Sequence, residues 1–311
     1  MKKELIVLLI LCFGIALTGC QANTTGNVVK TNTVGAVVKT DDIKVLRMGL
    51  IPADDAEEML RSYEPVQEYL SEQLGIPVEI QVTSDYTAAI EAMRSKHIDM
   101  AWFGPFSYVI AKNVAGAEAI VNGVRRSDNK SDYRSIIVVR ADSGIKTLQD
   151  LKGKKFAFVD PASTSGNLIP RKLLIDNGID PDKDFKTSFY AGTHNAVEYS
   201  IANGKVDAGA DSDNSYARMV ETGEIDPAVN KVIFTSPPIP GSPIVVRGDL
   251  PKDLKDKIKN ALINMDQNTI GKVNGWGNID HYLEVSDSDY DIIRETAKTL
   301  GMDVTNAAAA K

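Results

Sequence analysis

The chain has 311 residues, of which 43% are hydrophobic and 25% are charged, and its formal net charge is −7. The sequence contains no basic run and no stripe of alternating aromatic and basic residues, which argues against a nucleic-acid partner. Its two cysteines are Cys12 and Cys20, and its three histidines show neither a helical i, i+4 pair nor an H-E-x-x-H pattern. We therefore expect no disulfide, no thiol catalysis, no metal site and no cofactor.

The first segment has the order of an export signal. Lys2 and Lys3 precede an apolar run from Leu5 to Leu17 that is too short to span a bilayer as a mature helix. A small residue then precedes Cys20, as a lipoprotein signal peptidase requires. We predict a signal peptide over residues 1–19 and a lipid on Cys20 that anchors the protein to the outer face of the cell membrane. The alternative is an ordinary signal peptide or membrane anchor in which Cys20 has no part.

Residues 20–42 are rich in Thr, Asn, Gly and Val and have no helical or alternating periodicity. This composition predicts a flexible tether. From Lys44 onward, short apolar runs alternate with amphipathic segments, and the same rhythm returns after Leu151. This β-α-β-α order predicts mainly parallel sheets that are covered by helices. The predicted segments are strands at Val45–Leu50, Val78–Val82, Lys155–Val159 and Lys186–Tyr190, and helices at Asp55–Leu74, through Ala88–Arg94, and up to Asn177.

One pattern occurs twice, in residues 89–101 and in residues 196–208. In both copies an amphipathic helix ends in a polar turn and leads into a buried strand through a hydrophobic-Asp-small step. The separation of about a hundred residues is too long for a solenoid repeat and fits two similar lobes. A chance similarity between two helix-strand joints is the alternative.

Two segments have the character of crossings between these lobes, namely Ser135–Arg140 and the proline-rich stretch from Phe234 to Pro243. Two crossings predict that the second lobe is inserted in the first and that the lobes close by hinge motion. The predicted lobe 1 comprises residues 43–137 and 242–311, and the predicted lobe 2 comprises residues 138–241.

Three consecutive hydroxyl residues, Ser163, Thr164 and Ser165, follow a predicted strand and precede a predicted helix. Hydroxyl donors beside the free N–H groups of a helix N-terminus form a cradle for an oxyanion. Pro170 fits this helix if Gly166 is its N-cap. The alternative is plain N-capping by Ser165.

The repeat aligns Tyr86 with His194, so both side chains are expected at helix starts that face one cleft from opposite lobes. His194 is a candidate donor to an oxyanion, because a bound anion favours the charged imidazole. A lone histidine is otherwise a solvated or packed residue.

Two strand ends offer further candidates for the site. Trp102 and Phe103 are predicted to wall the cleft, or else to be ordinary core aromatics. Asp211 and Asp213 are predicted to accept a proton from a partly protonated oxyanion, which would reject sulfate by charge repulsion. Alternatively, these two acids cap the helix that includes Tyr216–Glu221.

These motifs together resemble the phosphate/phosphite/phosphonate-binding proteins of ABC transporters. The segments that carry the resemblance are Asp85-Tyr86, residues 91–94, residues 99–108, Tyr133, residues 158–166, residues 190–194, residues 206–208 and residues 236–240. The resemblance implies an α/β fold of the type II periplasmic-binding-protein kind, with two lobes and two hinge crossings. It also implies a monomeric binding protein with an ABC transporter permease as its partner, and not an enzyme.

By the same resemblance, the phosphorus-bound oxygens are held by Ser163, Thr164, Ser165, His194, Tyr86 and Tyr133. Members of the family that take aminoalkylphosphonates add carboxylates for the amine, one of them beside the second hinge. Here that stretch reads Gly241-Ser242-Pro243 and has no acid. We therefore expect a compact anion without an amine, such as methylphosphonate, phosphite or phosphate. The alternative is an amine-bearing ligand for which Asp211 or Asp213 supplies the carboxylate.

Two other functions compete with this hypothesis. The first is a lipoprotein hydrolase in which Ser163 or Ser165 forms a triad with His194 and Asp211, although the sequence has no G-x-S-x-G elbow to support it. The second is a sensory lobe that presents the same ligand to a membrane receptor.

Overall fold

The computed structural model describes residues 43–270 and 279–306. All of these residues belong to one compact unit, residues 38–311. The predicted signal peptide, Cys20 and nearly all of the tether lie outside that unit, and every one of these features lies outside the described residues. Within the described ranges, no helix is both long enough and apolar enough to cross a membrane.

The strands of the described part of the chain form two sheets, one of six strands in the order β11-β4-β10-β3-β1-β2 and one of five in the order β7-β6-β8-β5-β9. We call the six-stranded sheet with its helices lobe 1, and the five-stranded sheet with its helices lobe 2. The strands are β1 (Leu46–Leu50), β2 (Val78–Val82), β3 (Met100–Trp102), β4 (Glu118–Arg125), β5 (Ser135–Arg140), β6 (Lys155–Phe158), β7 (Thr187–Tyr190), β8 (Ala208–Ser212), β9 (Asn230–Thr235), β10 (Pro243–Val246) and β11 (Ile279–Glu284).

Both sheets are mixed, so the prediction of mainly parallel sheets is wrong in this respect. In lobe 1, β1 is parallel to β2 and β3, whereas β10 and β11 pair in antiparallel fashion. In lobe 2, β6 is parallel to β7 and β8, whereas β5 is antiparallel to β8 and β9. The antiparallel pairs involve the strands that begin or end a crossing between the lobes. Those connections lack the helical crossover that a parallel pair requires.

Helices cover both sheets. They are α1 (Ala56–Leu74), α2 (Tyr86–Arg94), α3 (Pro105–Ala115), α4 (Ile169–Asp176), α5 (His194–Ala202), α6 (Asp213–Glu221), α7 (Lys252–Ile263), α8 (Gln267–Ile270) and α9 (Asp291–Thr299). Short 3-10 turns at Leu148–Leu151 and Asp287–Tyr290, and a π-helical turn at Thr164–Leu168, complete the set.

The predicted bounds of α1 are confirmed to within one residue, since Asp55 is the N-cap of the helix and not its first residue. Local chemistry sets these bounds. Asp55 caps the helix by accepting the N–H of Glu58 at 2.9 Å. Gly75 ends the helix in the left-handed conformation, with a φ of 66° that favours glycine. The apolar stripe of the helix includes Met59 and Tyr63 and packs on the six-stranded sheet, so one turn of this stripe reaches the cavity described below.

Strand β5 is buried on both faces and joins two hydrophobic clusters. Ile136 and Val138 pack into the large core that includes the lobe 1 sheet, and Ile137 and Val139 pack into the second core of lobe 2. This alternation follows from the period of two in a strand. Because β5 is a central strand of its sheet, the prediction that Ser135–Arg140 is itself a crossing is wrong.

The chain passes from the first sheet to the second between Arg125 and Ser135, and returns between Thr235 and Pro243. The two crossings run side by side, since Tyr133 and Ile239 exchange backbone hydrogen bonds of 3.1 and 2.7 Å. The predicted boundary between residues 137 and 138 falls inside β5, whose whole length pairs within lobe 2.

Candidate functional site

Helices α2 and α5 start in the same way in the two lobes, as the repeat predicts. Each has nine residues, with Tyr86 as the first residue of α2 and His194 as the first residue of α5. Asp85 caps α2 by accepting the N–H of Ala88 at 2.7 Å, and Thr193 caps α5 by accepting the N–H of Ala196 at 3.1 Å. The caps fix where each helix begins, and they thereby direct one functional side chain from each lobe toward a shared cleft.

Residues of both lobes line a cavity of about 70 Å³. Because one water molecule needs about 10–15 Å³ by this measure, the space suits several waters or one small anion. The lining residues are Ile51, Ala53, Tyr63, Tyr86, Trp102, Gly104, Asn122, Gly123, Arg125, Ser131, Tyr133, Ser163, Thr164, Ser165, His194, Ser212, Asn214, Gly241, Ser242, Ile279 and Tyr282.

Five helix starts converge on this cavity. Tyr86 and His194 open α2 and α5, Gly104 and Ser212 are the N-caps of α3 and α6, and Ser163 is the N-cap of the π-helical turn that leads into α4. Each helix start carries partial positive charge, which favours an anion, although several of the first N–H groups already donate to protein acceptors. The site can therefore bind an anion although the chain as a whole carries a net charge of −7.

The side chains of Ser163 and Thr164 are held as acceptors of backbone hydrogen bonds. Ser163 Oγ accepts the N–H of Gly166 at 3.1 Å, and Thr164 Oγ1 accepts the N–H of Phe106 at 2.8 Å. Each hydroxyl still has its O–H available as a donor to a bound anion. The N-cap is Ser163, so the expectations that Gly166 or Ser165 fills this role are both wrong.

Two tyrosine hydroxyls meet the hydroxyls of lobe 2. Tyr86 shares a hydrogen bond with Ser163, and Tyr133 shares hydrogen bonds with Thr164, Ser165 and Ser242. Burial raises the pKa of Tyr133 to about 12 and raises the pKa of Tyr86 well above its ordinary value. Both phenols therefore keep their protons at neutral pH and can donate to an anion.

His194 is only 5% exposed, and a buried aspartate orients its ring. Its Nδ1 lies 2.5 Å from Asp211 Oδ1. Burial lowers the pKa of His194 to about 4, so the imidazole is neutral at physiological pH when no anion lies beside it. A negative charge in the cavity would shift this balance toward the imidazolium.

The structure gives Asp211 and Asp213 positions that differ from the predicted ones. Neither acid lines the cavity. Asp211 contacts His194, and Asp213 Oδ1 accepts the N–H of Arg134 at 2.9 Å. The cap of α6 is Ser212, whose Oγ accepts the N–H of Ser215 at 3.1 Å, so the capping alternative is also wrong for both acids. This geometry therefore does not support direct contact between either acid and a bound anion.

Contacts between the lobes close the cavity. Besides the bond from Phe106 to Thr164, the N–H of His194 donates to the carbonyl of Ala53 at 2.9 Å. An ion pair joins Asp54 of lobe 1 to Arg218 of α6, with Oδ2 and Nη2 2.7 Å apart. Side-chain exposures of 4% and 12% show that this pair is largely removed from water. In the described structure the two lobes are therefore closed around the cavity.

The lobe 1 wall explains why position 241, beside the second crossing, carries no acid. A Cβ on Gly241 would lie 2.0 Å from the carbonyl oxygen of Ser131 and 2.1 Å from Asn122 Nδ2, so no side chain fits there. Trp102 lines the cavity, whereas Phe103 is fully buried in the core and does not. Among the described residues, the lining contains no aspartate and no glutamate.

Sequence reasoning missed several lining residues of lobe 1 that come from β4, the loop after it and β11. They are Asn122, Arg125, Ser131 and Tyr282. No local motif marks them, because they reach the cavity only through antiparallel pairing of β4 with β10 and β11.

The two-lobed fold, the paired crossings and the anion-binding cavity between the lobes define the class: this is a type II periplasmic binding protein. A binding protein component of an ABC phosphonate transporter from Pseudomonas aeruginosa has the same fold, with a TM-score of 0.76 and 26% identity over 83% of this chain and 87% of that chain. PhnD1 of Prochlorococcus marinus, solved in complex with methylphosphonate, has a TM-score of 0.76 at 24% identity, over 83% of this chain and 98% of that chain. The predicted fold class is therefore confirmed, apart from the mixed sheets.

The sequence comparison agrees with the fold. Residues 48–290 match the family described as the periplasmic substrate-binding protein of phosphonate ABC transporters. The phosphate-import protein PhnD of Mycolicibacterium smegmatis is 31% identical over 283 residues, which are 83% of this chain and 86% of that protein. The chain belongs to this phosphonate-binding family. It is a substrate-binding component of an ABC transporter that acts outside the cytoplasm, and not an enzyme, as the sequence predicted.

Proposed function

We propose that this protein captures a small phosphorus oxyanion without an amine, of the phosphonate, phosphite or phosphate type, and delivers it to the permease of an ABC importer. The observation that carries the proposal is the convergence of five helix starts on a cavity whose described lining has no carboxylate. The printed descriptions of relatives name phosphate, phosphite and methylphosphonate, which supports this range of ligands.

In this proposal the anion is held from both lobes. Ser163–Ser165 and His194 contact its oxygens from lobe 2, and Tyr86 and Tyr133 contact them from the other side. Hydrogen bonds to a charged acceptor are roughly twice as strong as neutral ones, so this set provides both affinity and orientation. Because the ligand bridges the lobes, its binding favours the closed state.

An ammonium group on the ligand has no charged partner in this cavity. The described lining offers no carboxylate, and the guanidinium of Arg125, already paired with Asp128, lies in its wall. Burying an unpaired ammonium is costly. We therefore place aminoalkylphosphonates below methylphosphonate, phosphite and phosphate in affinity.

Thermal unfolding with a panel of ligands tests the proposal, since a ligand that binds only the folded state raises the Tm. The protein is first unfolded and refolded to remove co-purified ligand. We expect an increase in Tm with micromolar methylphosphonate, phosphite or phosphate, and a smaller one with an aminoalkylphosphonate. A folded protein whose Tm responds to none of them would contradict the proposal.

We also propose that residues 1–19 are removed on export, that Cys20 carries a lipid, and that residues 20–42 tether a monomeric binding domain to the membrane. The order of charged, apolar and small residues before Cys20 supports this. Mass spectrometry of the N-terminal peptide would detect a diacylglyceryl cysteine, and a Cys20→Ala variant should leave the membrane fraction. Co-purification of a permease supports the importer, whereas recovery of a receptor kinase in its place would favour a sensory role.

A further inference from the structure

A line of buried polar groups leads from the cavity into lobe 2. His194 contacts Asp211, Asp211 interacts with Glu198, and Glu198 contacts Asn230 of β9. Asp211, Glu198 and Asn230 are fully buried. Asn230 Nδ2 donates to Glu198 Oε2 at 2.6 Å and to the Glu198 carbonyl at 2.8 Å, so this oxygen and this carbonyl are both occupied as acceptors.

The other oxygens of the two acids have no N–H or O–H partner among the described residues, since Asp211 Oδ2 and Glu198 Oε1 are both buried and receive none. The two side chains hydrogen-bond to each other, and we infer that these two oxygens form that bond. Two carboxyl groups can share a hydrogen bond only if one of them carries a proton. Since Asp211 Oδ1 accepts the N–H of Ser212 at 2.6 Å and faces His194, Asp211 is the better anion and the proton lies on Glu198. Burial raises the pKa of both acids, that of Asp211 to about 8 and that of Glu198 well above its ordinary value, so Asp211 is the acid that ionises first. The contact with His194 Nδ1 further favours the ionised form of Asp211.

An ionised Asp211 determines the tautomer of His194. A carboxylate can only accept, so Nδ1 must carry the hydrogen in the 2.5 Å contact. The neutral ring then presents Nε2 to the cavity with a lone pair and no hydrogen. Among the described lining residues, His194 is the one side chain whose ordinary pKa lies near neutral pH.

We infer that Glu198 is a positioning residue whose retained proton fixes this tautomer, and that the cleft selects oxyanions that bring one proton of their own. The inference rests on the proposed function and narrows its ligand class. A hydrogen phosphonate or hydrogen phosphite donates its P–OH to Nε2, or transfers that proton to give an imidazolium beside a dianion. Sulfate and sulfonates carry no proton at neutral pH, and their oxygens would face the lone pair of Nε2.

Two further charged residues act on the pKa of His194 in opposite directions. Asp54, from the loop before α1, raises the pKa of His194, whereas Arg218 of α6 lowers it, and these two residues form an ion pair. Tyr216 of α6 lies near both acids, and its hydroxyl donates to the carbonyl of Asn230 at 2.6 Å. Burial keeps His194 neutral, and the acid pair determines which of its two nitrogens carries the hydrogen.

Nitrogen-15 NMR of the imidazole rings tests the tautomer in the ligand-free wild-type protein, with the His194 signals assigned by their loss in His194→Gln. We expect a protonated Nδ1 and an unprotonated Nε2 at pH 7. The opposite tautomer, or an imidazolium, would overturn the inference. This result does not depend on ligand binding, so it is separate from any failure of the proposed function.

Isothermal titration with methylphosphonate tests the proton in the complex. Above the second pKa of the ligand, binding in buffers of different ionisation enthalpy should show uptake of about one proton per anion, as linkage requires. Binding of wild-type protein without proton uptake would contradict the inference and leave the proposed function intact. Sulfate should bind at least 100-fold more weakly, and equal affinity for sulfate would also contradict it.

Two variants separate positioning from packing. Glu198→Gln keeps a donor for Asp211 and an acceptor for Asn230, so its affinity should stay within about 3-fold of wild type and hold to higher pH. Glu198→Met keeps the length of the side chain and loses both hydrogen bonds, so its affinity should fall at least 10-fold. Equal affinities of both variants and wild type from pH 7 to 9 would overturn the role of Glu198, as would an equal loss in both variants. If Glu198→Met does not fold, the NMR result and Glu198→Gln still decide the question.

Discussion

Tyr86 and His194 occupy equivalent positions in two different lobes: each is the first residue of a nine-residue helix, and both line the same cavity. One phenol and one imidazole thus approach a bound anion from opposite sides. Neither lobe alone holds the complete set of donors, so binding and closure of the lobes are coupled.

Thr164 links the anion cradle to lobe 1, because its Oγ1 accepts the N–H of Phe106 at 2.8 Å. Thr164→Val removes this acceptor and the O–H proposed to contact the ligand, with little change in shape. Since a hydrogen bond to a charged group contributes about 1.5–3 kcal/mol, we expect the Kd to rise roughly 10- to 150-fold. Thr164→Ser keeps the hydroxyl and should bind within a few-fold of wild type in calorimetry. Equal Kd values for the two variants would refute this role.

Arg218 stabilises the closed state without lining the cavity, through its ion pair with Asp54. Arg218→Ala leaves Asp54 buried and unpaired on closure. Truncation of one partner in such a pair costs about 2 kcal/mol or more and acts on dissociation, so the Kd should rise roughly 30-fold through a faster off-rate. Stopped-flow fluorescence measures that rate. Arg61→Ala is the matched control, because the Arg61–Glu57 pair is exposed and should contribute little. An unchanged off-rate in Arg218→Ala would show that the ion pair does not stabilise the closed state.

Ser242 is the position where an acid would alter selectivity, since it lines the cavity beside Gly241, which itself has no room for a side chain. Ser242→Asp places a carboxylate near the substituent on phosphorus. We expect the ratio of Kd values for methylphosphonate and 2-aminoethylphosphonate to shift at least 10-fold toward the amine, about 1.4 kcal/mol. Ser242→Asn has a similar shape without the charge and should not shift the ratio. The same shift in both variants would show that size and not charge is responsible.

Burial makes the stability of the ligand-free protein depend on pH. The raised pKa of Glu198 means that the folded state binds more protons than the unfolded state above pH 4.5, so stability is lost as the pH rises toward the folded pKa. His194, with its pKa lowered to about 4, acts in the opposite direction between about pH 4 and 6.5.

Above pH 6.5 His194 no longer contributes, and the protons held by Glu198 and Asp211 should make the Tm fall from pH 7 to pH 9. One proton corresponds to a slope of at most about 1.4 kcal/mol per pH unit. Glu198→Gln cannot titrate at this position and should show a smaller decline in the same thermal scans. Parallel curves for the variant and the wild type would show that Glu198 does not carry the proton.

The fold and the approximate site were predictable because they depend on local signals. The repeat identified Tyr86 and His194 as equivalent helix starts, and Asp55 and Gly75 marked the ends of α1. The hydroxyls of Ser163–Ser165 follow a strand end, where a cleft is expected in open α/β sheets.

The remaining features depend on contacts between distant parts of the chain. Asp54 and Arg218 are 164 residues apart, and neither stands in a pattern that suggests its partner. Asp211 was predicted to meet the ligand because it follows a strand end, yet the whole of β8 is buried and its side chain turns to Glu198 and His194. The direction of a side chain at a strand end depends on the register of the sheet, which local sequence does not fix.

A crystal structure of the refolded mature protein with methylphosphonate tests the central claim most directly. We predict one anion in the cavity between the lobes, with its oxygens within 3.2 Å of donors from Ser163–Ser165, Tyr86 and Tyr133 and of His194 Nε2, and with no carboxylate in contact. An anion bound elsewhere, or held in this cavity by contacts from one lobe alone, would contradict the account.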